Sequence, residues 1–177
     1  MDLMLDKKEQ YKIYDDYLSI QNYQMIWEFV KDAPYKHGEV DYQGSYPIGM
    51  VHELDVNESF GFPTEVDGID YSHINFPFPR QVNGCPLSRA YINYYGPREL
   101  AVFHIDDKDD DSVTLLYYPC PTLSYDEGGT TELMLDNQIV GIRSIANRLL
   151  VMKANILHRS TPFKSHPRFT IALKYNK

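Results

Sequence analysis

Cysteine is scarce: Cys85 and Cys120 are the only two in 177 residues, and they form no CxxC pair. That excludes a disulfide framework and suits a reducing compartment. Long apolar runs are missing too. No stretch approaches a membrane span, and the opening Met-Asp-Leu-Met-Leu-Asp-Lys-Lys has no signal-peptide core. A cytoplasmic protein is expected, in the host-cell cytoplasm if the source is viral. Basic residues are outnumbered: 17 Lys and Arg face 25 Asp and Glu, a formal net charge of −8. Such a chain repels a phosphate backbone, and no basic patch exceeds Asp6-Lys7-Lys8 or the segment 164–168, which argues against a nucleic-acid partner. Tryptophan occurs once, at Trp27. Repeats and low-complexity tracts are absent, so residues 1–177 are expected to form a single domain.

Tyrosine, by contrast, is abundant, at 15 residues. Tyrosine favours half-buried strands and polar-edged pockets, and strand propensity accounts for most of the excess. Tyr11–Leu18 reads as a strand, and Ser19 as the N-cap of a helix through about Lys31. Ile20, Tyr23, Trp27 and Val30 recur at helical spacing, which predicts an apolar face with Trp27 as a packing anchor. The pattern is weak over 35–86. Val51–Phe60 fits a strand or a short helix, and Gly61–Pro86, with four prolines, fits a long ordered loop of the kind that connects elements or contacts substrate.

From Leu87 onward the character changes. Arg89–Tyr95, Glu99–Ile105, Val113–Tyr118, Thr130–Leu135, Gln138–Ile142, Arg148–Lys153, Asn155–Arg159 and Phe169–Tyr175 read as short strands between turn signals such as Gly96-Pro97 and Asp136-Asn137. Strands at this spacing predict a mainly β sandwich or barrel, with the early helix on its flank.

Chemistry concentrates in that half. His104-Ile105-Asp106 places an imidazole and a carboxylate at i and i+2 of an expected strand, on one side of it. His158 can add a third ligand from across a barrel. Two histidines and one carboxylate form the facial set of non-haem Fe(II) sites, with positions left open. The pair alone is weak evidence, because a chain with six histidines offers such pairs by chance. A hydrogen-bonded core histidine is the ordinary reading of His104. Arg168, ten residues beyond His158, tips the balance. If Asn155–Arg159 and Phe169–Tyr175 are neighbouring strands, its guanidinium reaches past the metal and can clamp a carboxylate through two parallel hydrogen bonds. Thr170 shares its face and adds a hydroxyl. His166 competes as a third ligand, but it sits in an expected turn. The acidic run 106–111 lacks the glycine and terminal glutamate of a calcium loop and reads, past Asp106, as a solvated turn. His37, His52 and His73 are assigned no role.

The order of these motifs, HxD, then a distant His, then R-x-T, resembles the 2-oxoglutarate/Fe(II) oxygenase superfamily, in its prolyl 4-hydroxylase-like branch. Arg89–Gly96 (RAYINYYG) is similar to the family's tyrosine-bearing strand before HxD, and Thr114–Pro119 (TLLYYP) to the strand after it. Glu127–Leu133 (EGGTTEL) and Leu149–His158 (LLVMKANILH) are similar to its later segments. The likeness covers roughly 87–177 well, 11–31 loosely and 32–86 hardly at all. It implies a double-stranded β-helix (jelly-roll, cupin-like) core over about 87–177 with the N-terminal α-helix on its flank. It implies Fe(II) held by His104, Asp106 and His158, with 2-oxoglutarate and O₂ as co-substrates. Arg168 carries over as partner of the distal 2-oxoglutarate carboxylate, with Thr170 and Tyr118 adding hydroxyls and Tyr94 lining the pocket. The neighbouring Tyr117 and Tyr95 would take over these last two places if the register slipped by one.

The implied reaction hydroxylates a substrate C–H bond with release of succinate and CO₂. A peptidyl proline or other protein side chain leads as substrate, with a free amino acid or small metabolite beside it. Three other readings compete. A repair-type oxygenase for alkylated nucleic acid usually carries a second arginine where this chain has Lys174. A jelly-roll binding protein without oxygenase activity gives Arg168 and Thr170 no purpose. A zinc hydrolase needs a general base that the sequence does not offer.

Overall fold

The computed structural model describes residues 3–6, 8–37, 48–56, 65–66, 69–70 and 77–177. Half of the weakly patterned stretch 35–86, His73 included, lies outside them.

In chain order the elements are β1 (Tyr11–Tyr14), α1 (Ile20–Asp32), β2 (Lys36–His37), β3 (Met50–Leu54), β4 (Glu65–Val66), β5 (Ile69–Asp70), β6 (Gln81–Val82) and β7 (Cys85–Tyr95). Then follow β8 (Val113–Tyr118), β9 (Thr130–Leu135), β10 (Gln138–Arg143), β11 (Arg148–Lys153), β12 (His158–Ser160) and β13 (Arg168–Tyr175). The major sheet runs β1-β11-β8-β13-β7-β3-β2, with β6 beside β7. The minor sheet runs β10-β9-β12, and every pairing is antiparallel.

The expected strands over Val113–Tyr118, Thr130–Leu135 and Arg148–Lys153 appear with those bounds. Asp136 and Asn137 both take positive φ, 48° and 61°, in the two-residue turn of the β9–β10 hairpin, a geometry that Asn and Asp tolerate well. Four expectations change. The first strand stops at Tyr14, because Asp16 turns at positive φ and the chain then binds Asn147 through Tyr17 N and Leu18 N. Glu99–Ile105 is no strand: only His104 bridges, to His158, through two backbone hydrogen bonds of 2.9 Å. Asn155–Arg159 contracts to His158–Ser160. It also does not neighbour β13, since β12 pairs with β9 and β13 pairs with β7 and β8. Finally, Met50–Leu54 is a strand that extends the major sheet beside β7.

The major sheet separates two apolar cores. On its outer face Ile92, Leu115, Tyr117, Leu149, Val151, Ile171 and Leu173 meet Ile26, Phe29 and Val30 of α1. Ser19 caps that helix by accepting a hydrogen bond from Asn22 N at 3.2 Å, and Pro34 follows its end. The buried face centres on Ile26, Phe29 and Val30; Ile20, at the first helical residue, is exposed. Trp27 packs edge-on against Phe169, as a packing anchor should. On the inner face Leu116, Tyr118, Leu150, Met152 and Ala172 meet Leu133, Ile142 and Ile156 from the minor-sheet side. Two antiparallel sheets stacked on one interior make a double-stranded β-helix with a helical flank. Gly129, at the edge of this interior, has φ +73°, and a Cβ there would stand 2.0 Å from the Phe163 ring. Among the described residues no helix is long and apolar enough to cross a membrane.

Candidate metal centre

His104 and His158 face each other because their backbones form the bridge that joins the HxD segment to β12. Their rings lie 4.5 Å apart between centroids. His104 Nδ1 lies 3.0 Å from Val102 O, and His158 Nδ1 lies 2.8 Å from Ile156 O. Both contacts make Nδ1 the donor, so each ring carries its lone pair on Nε2. Both Nε2 atoms point at one carboxylate: His104 Nε2 is 3.6 Å from Asp106 Oδ1, and His158 Nε2 is 3.6 Å from Asp106 Oδ2. One ligand atom from each residue lies within 4.8 Å of the others. That convergence fits a single cation and brings together the three expected ligands.

The surroundings suit charge. Asp106 is almost fully buried, with 3% of its side chain exposed. Thr114 Oγ1 donates to its Oδ2 at 2.6 Å, and Lys174 Nζ lies 2.9 Å from its Oδ1. Burial alone would raise this carboxyl. The nearby His158, Lys174 and the Thr114 hydroxyl outweigh it and hold the group well below the carboxylate range. Of these, Lys174 is the lasting positive charge, because burial lowers His158 and favours its neutral, metal-binding form. Burial also works against the Lys174 ammonium, but Tyr91 and Asp106 more than reverse it.

Arg168 stands on the same face of β13 as Thr170, Ala172 and Lys174, three residues that line the cavity with the ligands. It is fully buried. Nη2 donates to Thr131 Oγ1 at 2.9 Å, while Nε and Nη1 find no partner among the described residues. Thr170 Oγ1 is likewise buried without a partner. Burial lowers the Arg168 pKa. A buried guanidinium with two idle donor nitrogens asks for an anion. Tyr118, expected here, is here: its hydroxyl donates to the same Thr131 Oγ1 at 2.8 Å, and the Arg168 guanidinium lies 5.8 Å from its ring centroid.

Tyr94 is a correction. It belongs to the outer face, packed against Tyr35 and Phe169, while Tyr91, Asn93 and Tyr95 line the cavity. Cross-strand partners explain the parity: Arg168 pairs with Tyr95 and Thr170 with Asn93, so those residues share the arginine's face. Tyr117 shows the same alternation, since its hydroxyl donates to Asn147 Oδ1 on the outer side. His166 lies apart from the three ligands and contacts Glu127, 3.2 Å from Nδ1 to Oε2. Asp107 and Asp109 accept backbone N–H groups of their own turn, in keeping with a solvated loop. Cys85 and Cys120 are buried and unpaired with each other.

Sequence reasoning missed Lys174, Thr114, Thr131 and Asn93 as neighbours of the site. Strand parity from Arg168 was the available signal for Lys174. Nothing local marked the others. A wider groove lined by Leu3, Met4, Tyr17, Phe78 and Val82 contains no metal-ligating trio among the described residues.

No family model and no curated protein sequence matches the chain. Solved structures do. A Trichoplax adhaerens prolyl hydroxylase in complex with a hypoxia inducible factor peptide fragment aligns at 19% identity and TM-score 0.69, over 95% of this chain and 84% of that one. A Pseudomonas putida prolyl-4-hydroxylase aligns at 14% identity and TM-score 0.71, over 96% and 94%. An oxidoreductase of the 2OG-Fe(II) oxygenase family from Burkholderia pseudomallei aligns at 11% identity and TM-score 0.66, over 99% and 96%. At these identities the likeness establishes the fold.

Proposed function

We propose that the chain is an Fe(II)- and 2-oxoglutarate-dependent oxygenase that hydroxylates a substrate C–H bond, with a peptidyl proline or another protein side chain as the leading substrate. One observation carries the reading: the cavity of the His-Asp-His trio is lined by Thr170, Ala172 and Lys174, and on the same face of their strand stands Arg168, buried and without an anionic partner among the described residues. The prolyl hydroxylases and the 2OG-Fe(II) oxygenase among the structural neighbours support it, and the peptide complex supports a peptide substrate.

The residues suit the cofactors. His104 and His158 would hold iron through Nε2, with an Asp106 carboxylate oxygen as the third ligand. The set leaves other coordination positions open. With 2-oxoglutarate and O₂ bound, iron supplies the oxidising chemistry, in which decarboxylation to succinate and CO₂ accompanies transfer of one oxygen atom to the substrate. The chain supplies the rest. Nε and Nη1 of Arg168, which have no protein partner among the described residues, would be available to the distal carboxylate, and Thr170 would add its hydroxyl. Thr131 and Tyr118 hold the guanidinium in place behind it. Leu116 and Ala172 add apolar surface to the cavity lining, and burial there strengthens each of these contacts. Domain organisation follows the same reading, with residues 1–177 forming one oxygenase domain.

Anaerobic titration tests the proposal. The protein with Fe(II) and 2-oxoglutarate should develop a weak visible charge-transfer band. Arg168→Met should raise the 2-oxoglutarate Kd by at least roughly 100-fold, the scale of losing one partner of a buried charge pair. No band in the wild type, or an unchanged Kd in the variant, overturns the reading. Succinate release with proline-containing peptides against free amino acids then addresses the substrate.

A further inference from the structure

Asp106 is held from both sides. Its Oδ2 accepts from Thr114 Oγ1 at 2.6 Å, and its Oδ1 faces Lys174 Nζ at 2.9 Å. The two holding residues are direct partners across the β13–β8 ladder, Lys174 opposite Thr114, so the sheet register sets both at once. Lys174 is itself confined. Its side chain is 20% exposed, and its ammonium stands 5.3 Å from the centroid of the Tyr91 ring. Tyr91 is braced in turn by the Arg89 guanidinium, 4.0 Å above its ring, and Arg89 pairs with Glu53.

Resting on the reading of His104, Asp106 and His158 as iron ligands, we propose that Lys174 is a positioning residue of the metal centre. It engages one oxygen of Asp106 so that the carboxylate meets the ion in a single orientation. The physical case turns on cost. An ammonium brought into a dry cavity loses hydration, and beside a divalent cation it is also repelled. For charge balance alone Lys174 is superfluous, because a dication neutralises Asp106 by itself. What the ammonium adds is geometry. A buried carboxylate held only by Thr114 is free to rotate about its last torsion, and its oxygens then lose the matched 3.6 Å approaches to His104 Nε2 and His158 Nε2 that converge on one ion. With Lys174 and Thr114 each occupying one oxygen, rotation breaks a charge-assisted hydrogen bond. Partners of this kind behind metal ligands typically change metal affinity by 10–100-fold when lost.

The test uses the full chain without 2-oxoglutarate or O₂. Co(II) is bound to wild type, Lys174→Met and Lys174→Arg, and its visible absorption spectrum and Kd are recorded, with Fe(II) affinity measured anaerobically by competition. Lys174→Met is expected to weaken metal binding about tenfold and to change the Co(II) spectrum, while Lys174→Arg restores both. Thr114→Val supplies a second route to the same change should Lys174→Met fold poorly. An unaltered spectrum and affinity in a folded Lys174→Met protein overturns the proposal. So does tighter binding, which would make repulsion the main effect of the lysine. If the wild type takes up neither ion, the iron reading fails and this inference fails with it. A change confined to Lys174→Met and Thr114→Val supports it.

Discussion

The two faces of the major sheet are built from the same strands and have opposite chemistry. Along β13, Phe169, Ile171 and Leu173 face α1, while Arg168, Thr170 and Lys174 face the interior. Along β8, Leu115 and Tyr117 lie outside, and Thr114 and Tyr118 inside. The outer face is closed, apolar and rich in aromatic contacts. The inner face carries a charged cluster whose buried groups lack full partners. The outer face holds an apolar core alone, while the inner face holds the candidate site beside a second, smaller apolar core. Because side chains alternate with period two, a slip of one residue would exchange them.

The sharpest test of this division is a pair of substitutions with opposite signs. Phe29 is fully buried against the outer face, and Phe29→Ala should cost about 3–5 kcal/mol in urea unfolding. Arg168→Met, in the metal- and ligand-free protein, should instead leave stability unchanged or raise it by about 1–4 kcal/mol, because it removes a buried cation with unmet donors. Clear destabilisation by Arg168→Met would show that the arginine itself is part of the packing of the inner core. A smaller effect separates the adjacent tyrosines. Tyr117→Phe should cost about 1–2 kcal/mol through its lost bond to Asn147 and leave 2-oxoglutarate binding unchanged. Tyr118→Phe should weaken 2-oxoglutarate binding by about 5–10-fold, because the hydroxyl helps fix Thr131 behind the arginine. Equal behaviour in the two variants would erase the contrast between faces.

The smallest effect lies outside both faces. Glu127 accepts from Ser165 Oγ at 2.6 Å and from Ser165 N at 3.0 Å. Those bonds and the His166 contact lower its pKa from an ordinary 4.5 to about 2. A depressed carboxyl contributes stability above its unfolded pKa and loses that contribution as pH falls through the folded one. The difference in Tm between wild type and Glu127→Gln should be steady above about pH 5 and shrink between 4.5 and 2. A difference that holds constant to pH 2 would mean that the carboxylate contributes nothing there.

Much of the strand ladder could be read in advance, because half-buried strands between turn residues leave a local period-two signature. β8, β9 and β11 fell where the pattern put them. The strand expected over Glu99–Ile105 did not form. Its apolar run, Leu100 to Phe103, is real, but among the described residues no neighbouring strand completes a ladder there, and a single bridge to His158 suffices to place the histidine. Tyr94 went to the wrong face in the reading for a similar reason. Parity can be counted within β7, but which parity faces inward depends on the pairing of Thr170 with Asn93, a contact between distant parts of the chain. Strand parity from Arg168 could put Lys174 on the inner face, but nothing near it in sequence announces Asp106 as its partner.

By itself, then, the sequence determined the mainly β architecture, the flanking helix and the candidate groups His104, Asp106, His158 and Arg168. These follow from local periodicity and from the rarity of that order of side chains. Only the tertiary structure decided that β12 and β13 belong to different sheets, which tyrosines face the cavity, and that Lys174 and Thr114 grip the same carboxylate. Each of those facts is a register between segments distant in sequence. Register is set by the summed burial of whole faces, which no short window of sequence contains.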